Sequence, residues 1–411
     1  MSLLFAVAVA PALATAQTAP LLQRPLPGTE PPARTGGQPP LQQPLRAPIT
    51  LTPTLGVAEE FNDNVLMDNR RRDWDLITVL TPGLTFTAER PTYRFNVGYE
   101  FDARLYMREP DRNEGFDRQR FVMDSFYRPD PTLTLSLDDM FTFNTGVNAF
   151  SPEGVVTGRD QAWSNTVRPG AAWQLDRLTA FRTFGAWTAQ RFDSRDLRDS
   201  DTYRGDVEVE RTFTPRFRGS LGYQVAYFDI EDEEDATTHT PRVGLTYEFT
   251  PTLTGSITGG PTIEFRDDDT RVAPFLFASL RKRYAWGETG VLYAREVTTA
   301  GGLGGIADNQ TFGASVIVAT LMRGLTIEAL PQYRTSESPH DNTIDVKTFS
   351  LPIRATYQMT PWFAVTAGYA LLHQVSDGTL RSPTTGEPLG RDVDQNRVFV
   401  GILVGYPIRW D

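Results

Sequence analysis

Residues 93–108 read Tyr-Arg-Phe-Asn-Val-Gly-Tyr-Glu-Phe-Asp-Ala-Arg-Leu-Tyr-Met-Arg. The odd positions are Tyr93, Phe95, Val97, Tyr99, Phe101, Ala103, Leu105 and Met107, all apolar. The even positions are Arg94, Asn96, Gly98, Glu100, Asp102, Arg104, Tyr106 and Arg108, most of them polar. A helix would wrap this pattern around its axis, whereas a strand sorts it onto two faces. The stretch is therefore a long β-strand with one greasy side.

The same sorting recurs along 49–411. Tyr203, Val207, Val209 and Phe213 oppose Arg204, Asp206, Glu208 and Glu210. Val243, Leu245, Tyr247 and Phe249 oppose Arg242, Thr246, Glu248 and Thr250. Phe349, Leu351, Ile353, Ala355 and Tyr357 oppose Ser350, Arg354, Thr356 and Gln358, and Val398 to Trp410 close the chain in the same manner. Such strands run about 11 to 16 residues, against about 5 to 6 in globular sheets. A tilted strand needs about 9 to 11 residues to cross a hydrocarbon core.

Two kinds of connection alternate. Short turns carry Pro or Gly, as at Glu89-Arg90-Pro91, Pro129-Asp130-Pro131, Thr214-Pro215-Arg216 and Thr360-Pro361-Trp362. Longer polar loops lie near 62–73, 108–116, 145–160, 193–201, 230–239, 266–271, 299–309, 336–345 and 375–393. Nine long loops and eight short turns make eighteen strands. The faces near 74–88, 178–192 and 284–298 sort less cleanly, so sixteen is the next count. In lipid every backbone N–H and C=O needs an internal partner, so the sheet must close. The fold class is all-β, a closed antiparallel transmembrane barrel. Aromatics crowd the short-turn ends, among them Tyr93, Tyr127, Trp173, Phe213, Phe249, Trp362 and Trp410, as expected of an interfacial girdle.

Composition agrees. The 411 residues carry 40 Lys+Arg and 51 Asp+Glu, a net charge of −11, with no cysteine and three histidines. Disulfides, thiolate metal sites and cysteine nucleophiles are excluded, and a histidine metal site nearly so. The acidic balance argues against nucleic acid. No run of 18 uninterrupted apolar residues could form a spanning helix.

The ends differ from the body. Residues 1–16, MSLLFAVAVAPALATA, have the apolar stretch and small-x-small ending of a signal peptide, although the basic start is missing. Residues 17–48 are rich in Pro, Gln and Gly and lack apolar periodicity, which predicts an extended periplasmic tether.

Phe61-Asn62-Asp63-Asn64, then Trp74-Asp75-Leu76-Ile77, then Pro82-Gly83-Leu84 resemble the outer-membrane porins grouped as β-barrel porin 2. The last strand is similar to the terminal strand read by the barrel-assembly machinery, with Trp410 followed by Asp411 rather than ending the chain. The resemblance implies a barrel in the Gram-negative outer membrane. It also implies neighbours such as lipopolysaccharide and, for members near exopolysaccharide loci, polysaccharide-export partners.

The inward charges are the candidate pore-lining residues: Arg94, Glu100, Asp102, Arg104, Arg204, Asp206, Glu208, Glu210, Arg242, Glu248, Glu328, Arg334 and Arg354. Opposed acids and bases around a water-filled lumen set solute preference; cross-strand ion pairing is the competing role. The third loop, 145–160, is a candidate constriction or a plain outward loop. The acidic runs 231–235 and 267–269 and the basic run Arg70-Arg71-Arg72 read as outside loops, with divalent-cation or lipopolysaccharide contact as the functional alternative. Gly301-Gly302-Leu303-Gly304-Gly305 precedes no helix and reads as a mobile loop rather than a phosphate cradle. His239 and His340 are expected in outside loops and His373 at a strand end, with no Ser or Asp motif joining them. No catalytic residue, metal or cofactor is expected. The expected function is a channel for polar solutes or a conduit for exported polysaccharide. A surface-interaction barrel blocked by inward Trp163, Trp187 or Trp286 is one alternative; a surface hydrolase is the other.

Overall fold

The computed structural model describes residues 49–144, 161–266, 269–319, 321–338, 343–379 and 392–410. The expected signal peptide and tether, the loop 145–160, residues 267–268, His340 and Asp411 lie outside the described residues.

The chain forms one antiparallel sheet that closes on itself. Each strand pairs with its neighbours in sequence, and Val393–Gly405 returns to Ile49–Asn62 in register from Thr54↔Gly405 to Asn62↔Arg397. Twenty hydrogen-bonded segments make eighteen crossings, because two crossings are interrupted by proline. Leu325–Ala329 and Gln332–Glu337 are one crossing broken at Pro331; Val393–Gly405 and Ile408–Trp410 are another broken at Pro407. Proline has no N–H to give the ladder. The uninterrupted crossings run from 12 residues in Leu133–Asn144 to 17 in Glu114–Asp130.

The short turns are built by side chains. Asp130 Oδ1 accepts from Thr132 N at 2.7 Å and Leu133 N at 3.2 Å. Asp176 Oδ1 accepts from Leu178 N at 2.7 Å and Thr179 N at 2.9 Å. An Asp side chain thus satisfies the backbone where the ladder stops, between two prolines at Asp130 and without proline at Asp176. These bonds hold the Asp130 and Asp176 carboxyls below the ordinary carboxylate range.

Outward positions are apolar and open around the wall, as at Leu221, Val243, Val291 and Val400. Tyr127, Trp173, Phe213, Trp362 and Trp410 are likewise exposed next to the short turns. A second apolar region lies inside, at the long-loop end. Ala58, Val65, Ile77, Val79, Tyr106 and Phe399 form one cluster. Ala226, Phe228, Ile230, Ala236, Ala273, Val297 and Ile306 form another. Burying a side chain such as Phe228 contributes about 1.5–3 kcal/mol. The inner face is therefore not polar over its whole height: Ile77 and Val79 point inward, which is why the alternation near 74–88 does not sort.

The second cluster holds the upper end of the hairpin 287–318, where the wall parts along one side only: Ile306–Val318 stays paired with Gln332–Glu337 up to Asp308↔Glu337. Pro261 and Pro274 face each other across Leu253–Arg266 and Asp269–Tyr284. Two prolines cannot exchange N–H···O bonds, so the nitrogen of Pro274 faces the next strand and has nothing to donate. Pairing with Gly287–Thr299 ends beside it, at Leu276↔Arg295. Beyond this point Gly287–Thr299 and Ile306–Val318 stay paired to each other, from Gly287↔Val318 to Thr299↔Ile306. Their tip crosses the mouth.

Candidate functional site at the mouth and lumen

The loop 300–305 and the loop 193–199 are six strands apart in the wall, about 29 Å at the usual strand spacing. Yet Arg198 N donates to Gly302 O at 2.9 Å. Ala300, Leu303 and Ala307 pack with Leu197, Ile344 and Val346, and Phe192 lies against them. Gly301, Gly302, Gly304 and Gly305 all have φ between 61° and 88°. A Cβ on Gly302 would meet the Phe192 ring at 2.7 Å. Glycine here serves close approach and left-handed backbone together. The loop is buried, so the expectation of a mobile segment is corrected: it is a seated crosspiece.

Charges fix the crosspiece as well. Glu296 Oε2 lies 3.9 Å from Arg204 Nη1 on the far side. Asp308 Oδ2 is 2.7 Å from Arg295 Nη2 and 3.7 Å from Arg271 Nη2. Arg271 stands on the strand from which the hairpin has parted, so this acid spans the parting that backbone bonds leave open.

The thirteen charged residues selected from the alternation all lie at inward register positions. Arg94 pairs with Asp124 at 2.6 Å, Arg120 with Glu100 at 3.7 Å, and Arg118 with Asp102 at 3.8 Å. Arg104 Nη1 is 3.5 Å from Glu60, which also sits among Arg118 and Arg397. Arg182 reaches Glu208 at 3.4 Å and Glu210 at 3.2 Å. Arg242 bonds Asp206, and Glu328 stands opposite Arg354. Arg334 Nε donates to Thr311 Oγ1 at 3.1 Å, and Glu248 stands opposite Thr254. The pairs knit neighbouring strands and place both charge signs at inward register positions. The partly exposed pairs add about 0–1 kcal/mol each, whereas Arg104–Glu60, Arg118–Asp102 and Arg242–Asp206 are buried. Their larger physical effect is the field they set up across the enclosed space.

The reading from alternation missed Glu60, Arg104's partner, and Glu296, Arg204's partner. Glu60 sits in Glu59-Glu60, where either residue could face inward; Glu296 lies in one of the stretches that did not sort.

The remaining candidates fall elsewhere. Trp187 faces outward and donates from Nε1 to Asp201 Oδ1 at 2.9 Å. Trp163 shares that outer face by its register with Phe143 and Arg191. Trp286 sits in a short turn, stacked on Tyr284 at 4.7 Å. None of the three fills the barrel. His239 is corrected from a loop to the strand Ala236–Thr250, where it meets the Tyr223 hydroxyl at 2.5 Å on the outer face. His373 is paired with Asp394 at 2.5 Å, also outside. Among the described residues no Ser or Thr hydroxyl is hydrogen-bonded to His239 or His373, and no cluster of metal-ligating side chains forms. In the acidic run, Asp232 pairs with Arg198 at 2.7 Å and Asp235 accepts from Tyr227 at 2.5 Å. Arg72 of the basic run pairs with Asp63 at 2.8 Å.

No family model and no curated protein matches the chain. Among solved structures it is similar to OccAB4 of Acinetobacter baumannii at 12% identity, over 89% of this chain and 100% of that one, with a TM-score of 0.46. It is similar to OpdL of Pseudomonas aeruginosa at 12% identity, over 87% and 99%, with a TM-score of 0.45. The siderophore receptor PirA of P. aeruginosa is similar at 8% identity, over 89% and 81%, with a TM-score of 0.41.

Proposed function

We propose that the chain is an outer-membrane channel passing small polar solutes along a charge-lined lumen, with the tip of the hairpin 287–318 as its constriction. The observation that carries this reading is the crosspiece. Strands this long with an open apolar exterior belong in a membrane. A wall lined with both charge signs, crossed at one end by a seated hairpin, is the layout of a selective passage. The loop 300–305 is the constriction in this reading, and the candidate loop 145–160 lies outside the described residues. Residues 1–16 would export the chain, and the barrel-assembly machinery would read its last strand.

Single-channel recording on refolded protein in planar bilayers tests the proposal. Discrete conductance steps that small sugars or amino acids reduce support it; silence at every voltage overturns it. The polysaccharide conduit is separated by the same recording: long acidic oligosaccharides would then block at lower concentration than any small solute.

A further inference from the structure

The seam beside the hairpin 287–318 stops in phase. Leu276↔Arg295 is its last pair, and among the described residues no ladder pair follows above it. Continued without a bulge, the same register would set Pro274 opposite Val297 and Val272 opposite Thr299. The nitrogen of Pro274 faces this seam, so alternate residues of Asp269–Tyr284, Val272 among them, aim their backbone groups at it too. In that register Val272 and Thr299 would exchange two bonds, and Val297 N would donate to Pro274 O. Only the fourth bond is missing, because proline has no N–H.

The side chains suit the continued wall as well. Leu280 and Val291 stand opposite each other, exposed on the outer face. Val297 lies six residues beyond Val291, and Ile306 six before the exposed Phe312, so in a straight hairpin both would point outward. As seated, they cluster instead with Phe228 and Ala273 inside. Their surroundings are apolar in either position, protein within or acyl chains without. Arg295 and Asp308, 2.7 Å apart, both ride on the hairpin and keep their pairing. Asp308 stands opposite Val297, ten residues above Gly287. At about 2.5 Å of axial rise per tilted residue that is the upper rim of a belt about 25 Å tall, where charge meets headgroups.

We infer that the hairpin has two seats: the one across the mouth, and a second in which Val297 and Thr299 zip onto Pro274 and Val272, completing the wall and clearing the mouth. Its consequence for passage rests on the reading of this hairpin as the constriction. The swing breaks no ladder, because Ile306–Val318 keeps Gly287–Thr299 on one side and Gln332–Glu337 on the other. It gives up the contacts of Arg198 N with Gly302 O, Glu296 with Arg204 and Asp308 with Arg271, together with the inner packing of Val297 and Ile306. Three backbone bonds in the wall take their place. A gate is an element with two discrete packings close in free energy. Pro274 favours the mouth seat by denying the wall its fourth bond.

The chain has no cysteine, so disulfide trapping of the refolded full chain in bilayers reads the second seat directly. In Val272→Cys/Thr299→Cys one thiol stands on the open outer face and the other is buried. Once zipped, their Cα atoms would be about 5.5 Å apart, a span that a disulfide bridges. Leu280→Cys/Val291→Cys, already opposite in the same seam, controls for oxidation. Both pairs are expected to cross-link, the upper one more slowly. The cross-linked upper pair is expected to hold a several-fold larger single-channel conductance until dithiothreitol is added. Pro274→Val supplies the missing donor and is expected to lengthen the high-conductance dwell several-fold with no cross-link; it carries the test should the double variant not fold. An upper pair that stays reduced while the control closes overturns the inference. So does a conducting channel that the cross-link leaves unchanged, or a Pro274→Val channel with wild-type dwell times. If the upper pair closes and no variant conducts, the two seats stand and the channel reading falls.

Discussion

Glu296 approaches Arg204 to 3.9 Å, although four strands stand between their own strands in the wall. The contact exists because Gly287–Thr299 parts from Asp269–Tyr284 beside Pro274, while Ile306–Val318 stays in the sheet beside Gln332–Glu337 up to Asp308↔Glu337, and the hairpin's tip reaches across the mouth. If that hairpin limits passage, unseating it widens the pore. Gly302→Val does so by two routes. Its φ of 88° costs a β-branched residue about 1–2 kcal/mol, and its side chain would overlap Phe192. Gly302→Val and Glu296→Ala are expected to raise single-channel conductance several-fold, the glycine variant more, with the folded gel band retained. Unchanged conductance in both variants would place the constriction elsewhere.

Buried charge gives a stability prediction. Glu60 is enclosed with Arg104, Arg118 and Arg397, and its carboxylate is the negative member facing three guanidinia. Glu60→Ala leaves cations buried with less compensation, a loss of about 3 kcal/mol or more. A lower urea midpoint for unfolding in micelles is expected, and Glu60→Gln should restore part of it through its amide oxygen. Equal midpoints for wild type and Glu60→Ala would show that water already screens the cluster.

Barrel closure depends on small residues at its last joint. A Cβ on Gly401 would stand 2.6 Å from both Ala58 Cβ and Val57 O. Crowding of this sort costs about 1–3 kcal/mol. Gly401→Val is expected to lower the fraction running as a folded band on unheated gels. Gly98→Ala, whose Cβ would have 3.6 Å to its nearest neighbour, is expected to have no effect.

Several of these features are legible in the sequence alone, and the reason is solvent. Where a strand separates lipid from water, as at 93–106, its two faces need different chemistry and the alternation writes that down. The same holds for 200–214 and 236–250. Where the inner face meets protein instead of water, the signal fades. Ile77 and Val79 look like lipid-facing residues but pack on Phe399 inside, and Val297 packs on Phe228. The crosspiece escaped for a related reason. Gly301 to Gly305 have the composition of a free loop, and only contacts with residues more than a hundred positions away, such as Phe192, show that glycine is there to fit beneath a ring. Inward charges could be read one strand at a time; their partners on the next strand depend on register, which alternation alone does not set.

The turns respond to acid in a direction fixed by their bonds. Asp130 is held below its usual 3.8, first by the Thr132 hydroxyl and then by the Thr132 and Leu133 amides. Asp176 is lowered likewise, first by the Leu178 amide. A carboxyl whose folded value is depressed stabilises the fold fully above its unfolded value. That contribution is lost as pH falls through the lower folded value. Nothing should therefore change at these turns between neutrality and pH 3.8; the loss belongs below that. Asp130→Asn keeps an acceptor oxygen but cannot titrate, so it should flatten the response, while Asp130→Ala removes the turn bonds at every pH. Carboxyl carbon shifts of the two aspartates in micelles, followed downward from pH 6, should give midpoints under 3.8. A midpoint at or above the ordinary value would mean that the turn bonds are not kept once the barrel is in solution.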